Sequence, residues 1–283
     1  MSILFYQTHA MVMRLLYKVI APGHPRGWLD IHAVTDDKDS AGPLWVHCHG
    51  MEKWKLSNLE IVDVPRDLGG FAHGLLFDFT GYMKRVKPIN ADENFGGAFS
   101  SENQKAYHLA TFRQTTTTDP DARGMLRIVD IDEPASARFP ARLFAAHMIA
   151  ATDSKRDPIA REQLLRRTVD IFPGSFATGE VADFDPHLNY GNFIGWESLS
   201  DALVDQRRVE EGLRCLDQAV ARCPQWARSF AEAVGTDIRE RNIPPDSDPR
   251  FRYWIDLDVA DAIARAKANP LAQDGATGTT AIG

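Results

Sequence analysis

Apolar and polar positions alternate along several short runs in the first half of the chain. Residues 28–34, 44–49 and 59–64 read this way, the second run stopped by Gly50 and the third by Pro65. That period of two predicts strands. Residues 14–20 have the same character. Residues 107–118 and 125–131 are joined by Asp119-Pro120-Asp121-Ala122-Arg123-Gly124, a turn composition that predicts a hairpin. Four consecutive threonines, Thr115 to Thr118, favour its first strand through β-branching. Over residues 67–85 the period changes. Phe71, Leu75, Phe79, Tyr82 and Met83 fall at helical spacing, although Gly69, Gly70 and Gly74 weaken that helix. Residues 36–43 read as a turn cluster, and residues 87–101, rich in Asn, Asp, Gly and Ser, read as an exposed loop.

Past residue 135 the period becomes helical. Residues 135–151 are apolar at helical spacing, and Asp157-Pro158 matches an N-cap followed by proline in the first turn. That helix runs to about Ile171, before Pro173-Gly174, and residues 175–192 are irregular and aromatic-rich. The expected fold class is α+β: a mostly antiparallel sheet with one packed helix over residues 1–135, an α-helical domain over 136–270, and a small polar tail, flexible by composition, over 271–283. A shift in charge supports the division near 133–136. Seven of the nine lysines precede residue 140, and later positive charge is mostly arginine.

Composition removes several classes. With 283 residues, 44% hydrophobic and 25% charged, the chain can bury a full core. A net charge of −7 speaks against a nucleic-acid partner. The apolar run over 10–21 is broken by Arg14 and Lys18, so it falls short of the ~18 residues a membrane span needs. It also lacks the flanks of a signal peptide. Met11 and Met13 compete with Met1 as starts, and the first ten or so residues read as an extension. Three cysteines, Cys48, Cys215 and Cys223, suit a reduced protein in the cytoplasm, with the latter two as packing thiols.

The densest chemical signal is His47-Cys48-His49-Gly50. On a strand His47 and His49 share a face while Cys48 takes the other, so the two imidazoles can ligate one metal and a Cys–His dyad within the tripeptide is geometrically poor. A catalytic zinc needs a third ligand. The possible third ligand is Asp185 or His187, or else Asp183, His73, Asp78 or His108, and the sequence does not choose among them. Against this stands the plainer expectation of one buried, hydrogen-bonded histidine. Asp130, Asp132 and Glu133 could bind a cation, but such a run is more often a solvated strand exit. Gly69-Gly70 and Gly96-Gly97 lack the spacing of phosphate loops, so neither a catalytic residue nor an organic cofactor site is assigned. Arg161, Arg166, Arg167, Arg207 and Arg208 read as exposed helix charges that pair with nearby acids.

Two stretches carry resemblances. Trp196, Leu199, Ser200, Leu203, Gly212, Leu216, Ala219 and Pro224 follow the spacing of one tetratricopeptide repeat, so residues 193–226 resemble a single degenerate unit of that type. The resemblance implies two antiparallel helices, with Gly212 and Ala219 allowing a close approach, and a surface that binds protein. Residues 45–65, with His47-x-His49-Gly50-Met51 and then Leu59-Glu60-Ile61, are similar to a block in uncharacterised bacterial proteins; Cys48 replaces a threonine, and Ser57-Asn58 stands where Pro-Glu is common. That block implies a strand-to-turn feature at His49-Gly50 and no activity. The functional expectation is a non-catalytic protein-interaction module, with Trp196, Leu203, Arg207 and Arg208 as partner-binding residues and no cofactor. The alternative is a metal-dependent hydrolase centred on His47 and His49, carrying zinc or another divalent metal.

Overall fold

A computed structural model describes residues 29–35, 41–96, 108–152, 157–171 and 193–270. The strand expected at 14–20, the irregular stretch 175–192 and the tail 271–283 lie outside these residues, as do Asp183, Asp185 and His187. The chain divides into two compact units, Met1–Leu143 and Phe144–Gly283.

The first unit is built on a six-stranded sheet, β1 Asp30–Val34, β2 Leu44–His49, β3 Leu59–Val64, β4 Asn94–Gly96, β5 His108–Gln114 and β6 Leu126–Asp130. Their order is β1-β2-β3-β6-β5-β4. All neighbours are antiparallel except β3 and β6, which run parallel with Leu59 opposite Leu126. Such a pairing needs a crossover, and the intervening chain includes the helix α1, Gly69–Arg85. The short edge strand β4 forms inside the segment expected to be a loop. Its Asn94 carboxamide oxygen accepts a hydrogen bond from Thr111 Oγ1 at 2.8 Å, a pairing that Asn- and Gly-rich composition conceals. The β5 strand ends at Gln114, short of the threonine run, because those threonines turn away to satisfy buried charge on the sheet.

Alternation decides the two faces. Val46, Cys48, Leu59, Ile61, Phe112 and Ile128 are fully buried on one. The stripe Ala72, Leu75, Leu76, Phe79 and Met83 of α1 is buried there too, with the Phe79 ring edge-on to Phe112 at 5.1 Å. At Gly69 a Cβ would lie 2.8 Å from Leu44 Cδ1, so that the leucine tip would have to shift.

Residues 135–140 are not helical. The helix α2 spans Ala141–Thr152, and the division between units falls inside it rather than at 133–136. The cause is hydrogen bonding that ties this stretch to the sheet. Arg127 Nη1 and Thr116 Oγ1 both donate to the Ala135 carbonyl, and Arg138 pairs with Asp63.

The described part of the second unit is helical: α3 Pro158–Ile171, α4 Gly195–Asp205, α5 Val209–Arg222, α6 Pro224–Glu240, α7 Pro249–Ile255 and α8 Val259–Ala268. Asp157 caps α3 by accepting the Ile159 amide at 3.1 Å. The helices α4 and α5 form a hairpin whose inner positions, Trp196, Leu199, Leu203, Cys215, Leu216 and Ala219, join one core with Leu165, Phe193 and Trp254. Pro224 separates α5 from α6 and occupies the first turn of the latter. The buried Asp217 carboxylate of α5 accepts from Tyr253 Oη and the Arg265 guanidinium, which locks α7 and α8 onto it.

Candidate functional site

The face of the sheet opposite α1 is polar. In β2, Trp45, His47 and His49 point to it because Val46 and Cys48 point into the core. The β1–β2 register places His32 directly across from His47. Three imidazoles therefore meet: the His32 and His47 rings stack with centroids 5.4 Å apart, and His49 stands edge-on to both at 5.4 and 4.9 Å. The Trp45 indole lies against His47 at 3.9 Å. His47 is only 4% exposed, and its Nδ1 has no hydrogen-bond partner among the described residues. Burial first, then the adjacent His49 and His32, push its pKa down to about 4, with Asp119 opposing. His47 is thus a neutral imidazole at physiological pH, able to accept or donate at a ligand.

Beside it the register continues His47–Glu60–Arg127 across β2, β3 and β6. Glu60 is fully buried. Its carboxylate accepts from Trp45 Nε1 at 2.8 Å, from Arg127 Nε at 2.9 Å, and from the Thr115 and Thr117 hydroxyls. Trp45 thereby connects the charge pair to the histidines and fixes the plane on which His47 rests.

The end of β2 is held by a turn. Gly50 has φ 109°, a conformation that favours glycine. Asn58 Oδ1 accepts the Met51 amide at 3.1 Å, while Glu52 accepts from the Gly50 amide and from Asn58 Nδ2. This is the strand-to-turn feature expected at His49-Gly50, and Asn58 closes it. Cys48 Sγ accepts the Leu59 amide at 3.1 Å. Burial pushes its thiol up to about 12, which leaves it inert as a nucleophile.

Among the residues expected to complete a metal site, Asp185 and His187 lie outside the described residues. His73 and Asp78 sit on α1, which packs on the opposite face of the sheet, so they cannot join His47. The imidazole beside them that sequence reasoning missed is His32. Its signal was present, since two strands joined as a hairpin pair Trp45-x-His47-x-His49 with Asp30-x-His32. Among the described residues no three His, Cys, Asp or Glu side chains converge on a common point.

The partner-binding set is corrected in part. Trp196 and Leu203 are 5% and 0% exposed, so they present no surface; their helical spacing marks the core of the hairpin. Arg208 is exposed but bridges Glu162 and Glu211, and Arg166 pairs with the same two acids. Arg207 is exposed in the connection between α4 and α5, with φ 64°.

Asp130 is not a solvated strand exit. It is buried at the end of β6 and caps α2 by accepting the amides of Arg142 and Leu143 at 3.1 and 2.9 Å. Burial outweighs these bonds and raises its pKa to about 6. A raised folded-state pKa means that the folded state binds the proton more tightly. This group's contribution is complete below about pH 4 and lost as pH rises through about 6. We expect Asp130→Asn to flatten the pH dependence of the urea midpoint between pH 4 and 6.5 relative to the wild type. An unchanged slope would contradict the raised pKa.

No protein-family model, curated protein or solved structure matches this chain. No described helix is long and apolar enough to cross a membrane.

Proposed function

We propose that the helical unit is a protein-interaction module that receives an amphipathic helix of a partner protein. The observation that carries this reading is an open groove of about 1150 Å3 lined by α6, α7 and α8. Its lining mixes the apolar Ile255, Leu257 and Val259 with the charged Arg228, Arg239, Glu232 and Asp258, over the buried Ile238 and Trp254. The volume exceeds the ~300–1,000 Å3 typical of small-molecule sites, and apolar side chains set among charges of both signs suit helix-in-groove recognition. The tetratricopeptide resemblance of α4 and α5 agrees with a scaffold of this kind. The binding surface proposed is the groove after that hairpin, not its buried Trp196 and Leu203. Three buried, unpaired thiols suit the reducing cytoplasm as its setting.

Ile255 is 41% exposed in the groove, so Ile255→Glu should abolish partner capture while the fold persists. Pull-down from cells with wild-type, Ile255→Glu and Val86→Glu chains tests this, since Val86 is exposed in the other unit. Equal capture by all three would end the proposal. A metal-dependent hydrolase centred on His47 and His49 is the second reading, and the observation in its favour is the third imidazole, His32, beside them.

A further inference from the structure

We infer that His32, His47 and His49 together bind one zinc-like divalent transition metal, with His32 as the third ligand. Zinc–nitrogen bonds of about 2.0–2.1 Å put each imidazole centroid about 3.2 Å from the metal, so two imidazoles at a tetrahedral angle have centroids about 5.2 Å apart. The three centroid separations here are 5.4, 5.4 and 4.9 Å. The cluster already has the dimensions of a three-histidine tripod. What it lacks is ring orientation, since His32 stacks on His47 instead of sharing a point with it.

Turning the rings is feasible where it is needed. His32 is exposed on β1 and His49 is half-buried, so neither imidazole is enclosed in the core. His47 is held in place, with its face against Trp45 and its Nδ1 buried without a hydrogen bond among the described residues. A buried imidazole nitrogen without a partner is costly unless something satisfies it, and a metal ion does so. The surroundings match this chemistry. Trp45 is anchored to Glu60, and Glu52 acts electrostatically with His49. The inference is independent of the groove over α6 to α8 and concerns binding alone.

The full-length chain, stripped of metal with a chelator, would be titrated with Zn2+ by calorimetry and with Co2+ by absorption spectroscopy. The expected result is one equivalent per chain, tetrahedral cobalt bands, and a zinc-dependent rise in Tm. His32→Ala and His49→Ala should each weaken zinc at least about tenfold and remove the Tm rise. His73→Ala, on α1, should leave both unchanged. Both ligand substitutions fall at accessible positions, and the Tm without metal reports their folding directly. No saturable binding would overturn the assignment. So would binding that survives His32→Ala, or weakening by His73→Ala equal to that by His32→Ala.

Discussion

Replacing Arg127 by Met is expected to cost the first unit about 3–5 kcal/mol, the range for removing one partner of a buried ion pair. The Glu60 carboxylate is fully buried, and its guanidinium partner is 6% exposed. Without Arg127 the charge stays in the sheet with hydroxyl and indole donors alone. Arg127 also holds the Thr116 hydroxyl and the Ala135 carbonyl, so the stretch leading into α2 should loosen at the same time. Adding Glu60→Gln to Arg127→Met should recover part of the loss, because it removes the uncompensated charge. Native-state hydrogen exchange of the β3 and β6 amides reads both effects in the unit concerned. A double variant no more stable than Arg127→Met alone would show that packing, not the stranded charge, carries the cost.

The second large effect is at Gly212. A Cβ there would lie 2.7 Å from Val204 Cγ2 and 3.1 Å from the Ser200 carbonyl oxygen. The valine can shift, but the carbonyl belongs to the backbone of α4. Alanine would by itself favour the helix by up to about 1 kcal/mol. The steric conflict should reverse that sign and give a net loss of about 1–3 kcal/mol, as overpacking does. Gly235 in α6 is the comparison: its Cβ would meet Arg239 Nη1 at 3.4 Å, a flexible tip, so Gly235→Ala should be neutral or stabilising. Chemical unfolding of the three chains separates the cases. If Gly212→Ala proved as stable as Gly235→Ala, the close α4–α5 contact would not be what the glycine serves.

The hairpin of α4 and α5 was legible because its signals are local. Large residues and a glycine at helical spacing state which positions face inward, whatever they face. The same logic misled where a surface was sought. Trp196 and Leu203 fit a repeat pattern because they are core, and a pattern of inward positions says nothing about an outward groove. The groove depends on α6, α7 and α8 meeting, and on Asp217 drawing Tyr253 and Arg265 together across stretches of sequence that show no mutual pattern. The histidine cluster lies between these cases. His47 and His49 announced themselves by a spacing of two, while His32 became visible only through strand register.

By itself the sequence determined the α+β class, most of the strands, α1, α3 and the α4–α5 hairpin. It also determined that His47 and His49 share one face, opposite Cys48, and the turn at Gly50. Each follows from side-chain period or from a backbone preference acting over a few residues. Only the tertiary structure decided that β3 and β6 run parallel, that residues 135–140 stay with the sheet, and that Asp130 is a cap instead of a solvated acid. It also decided that Glu60 and Arg127 form a buried pair and that His32 joins the other two imidazoles. These depend on pairing between strands far apart in the chain, where burial makes a charge find whichever partner the fold brings within reach.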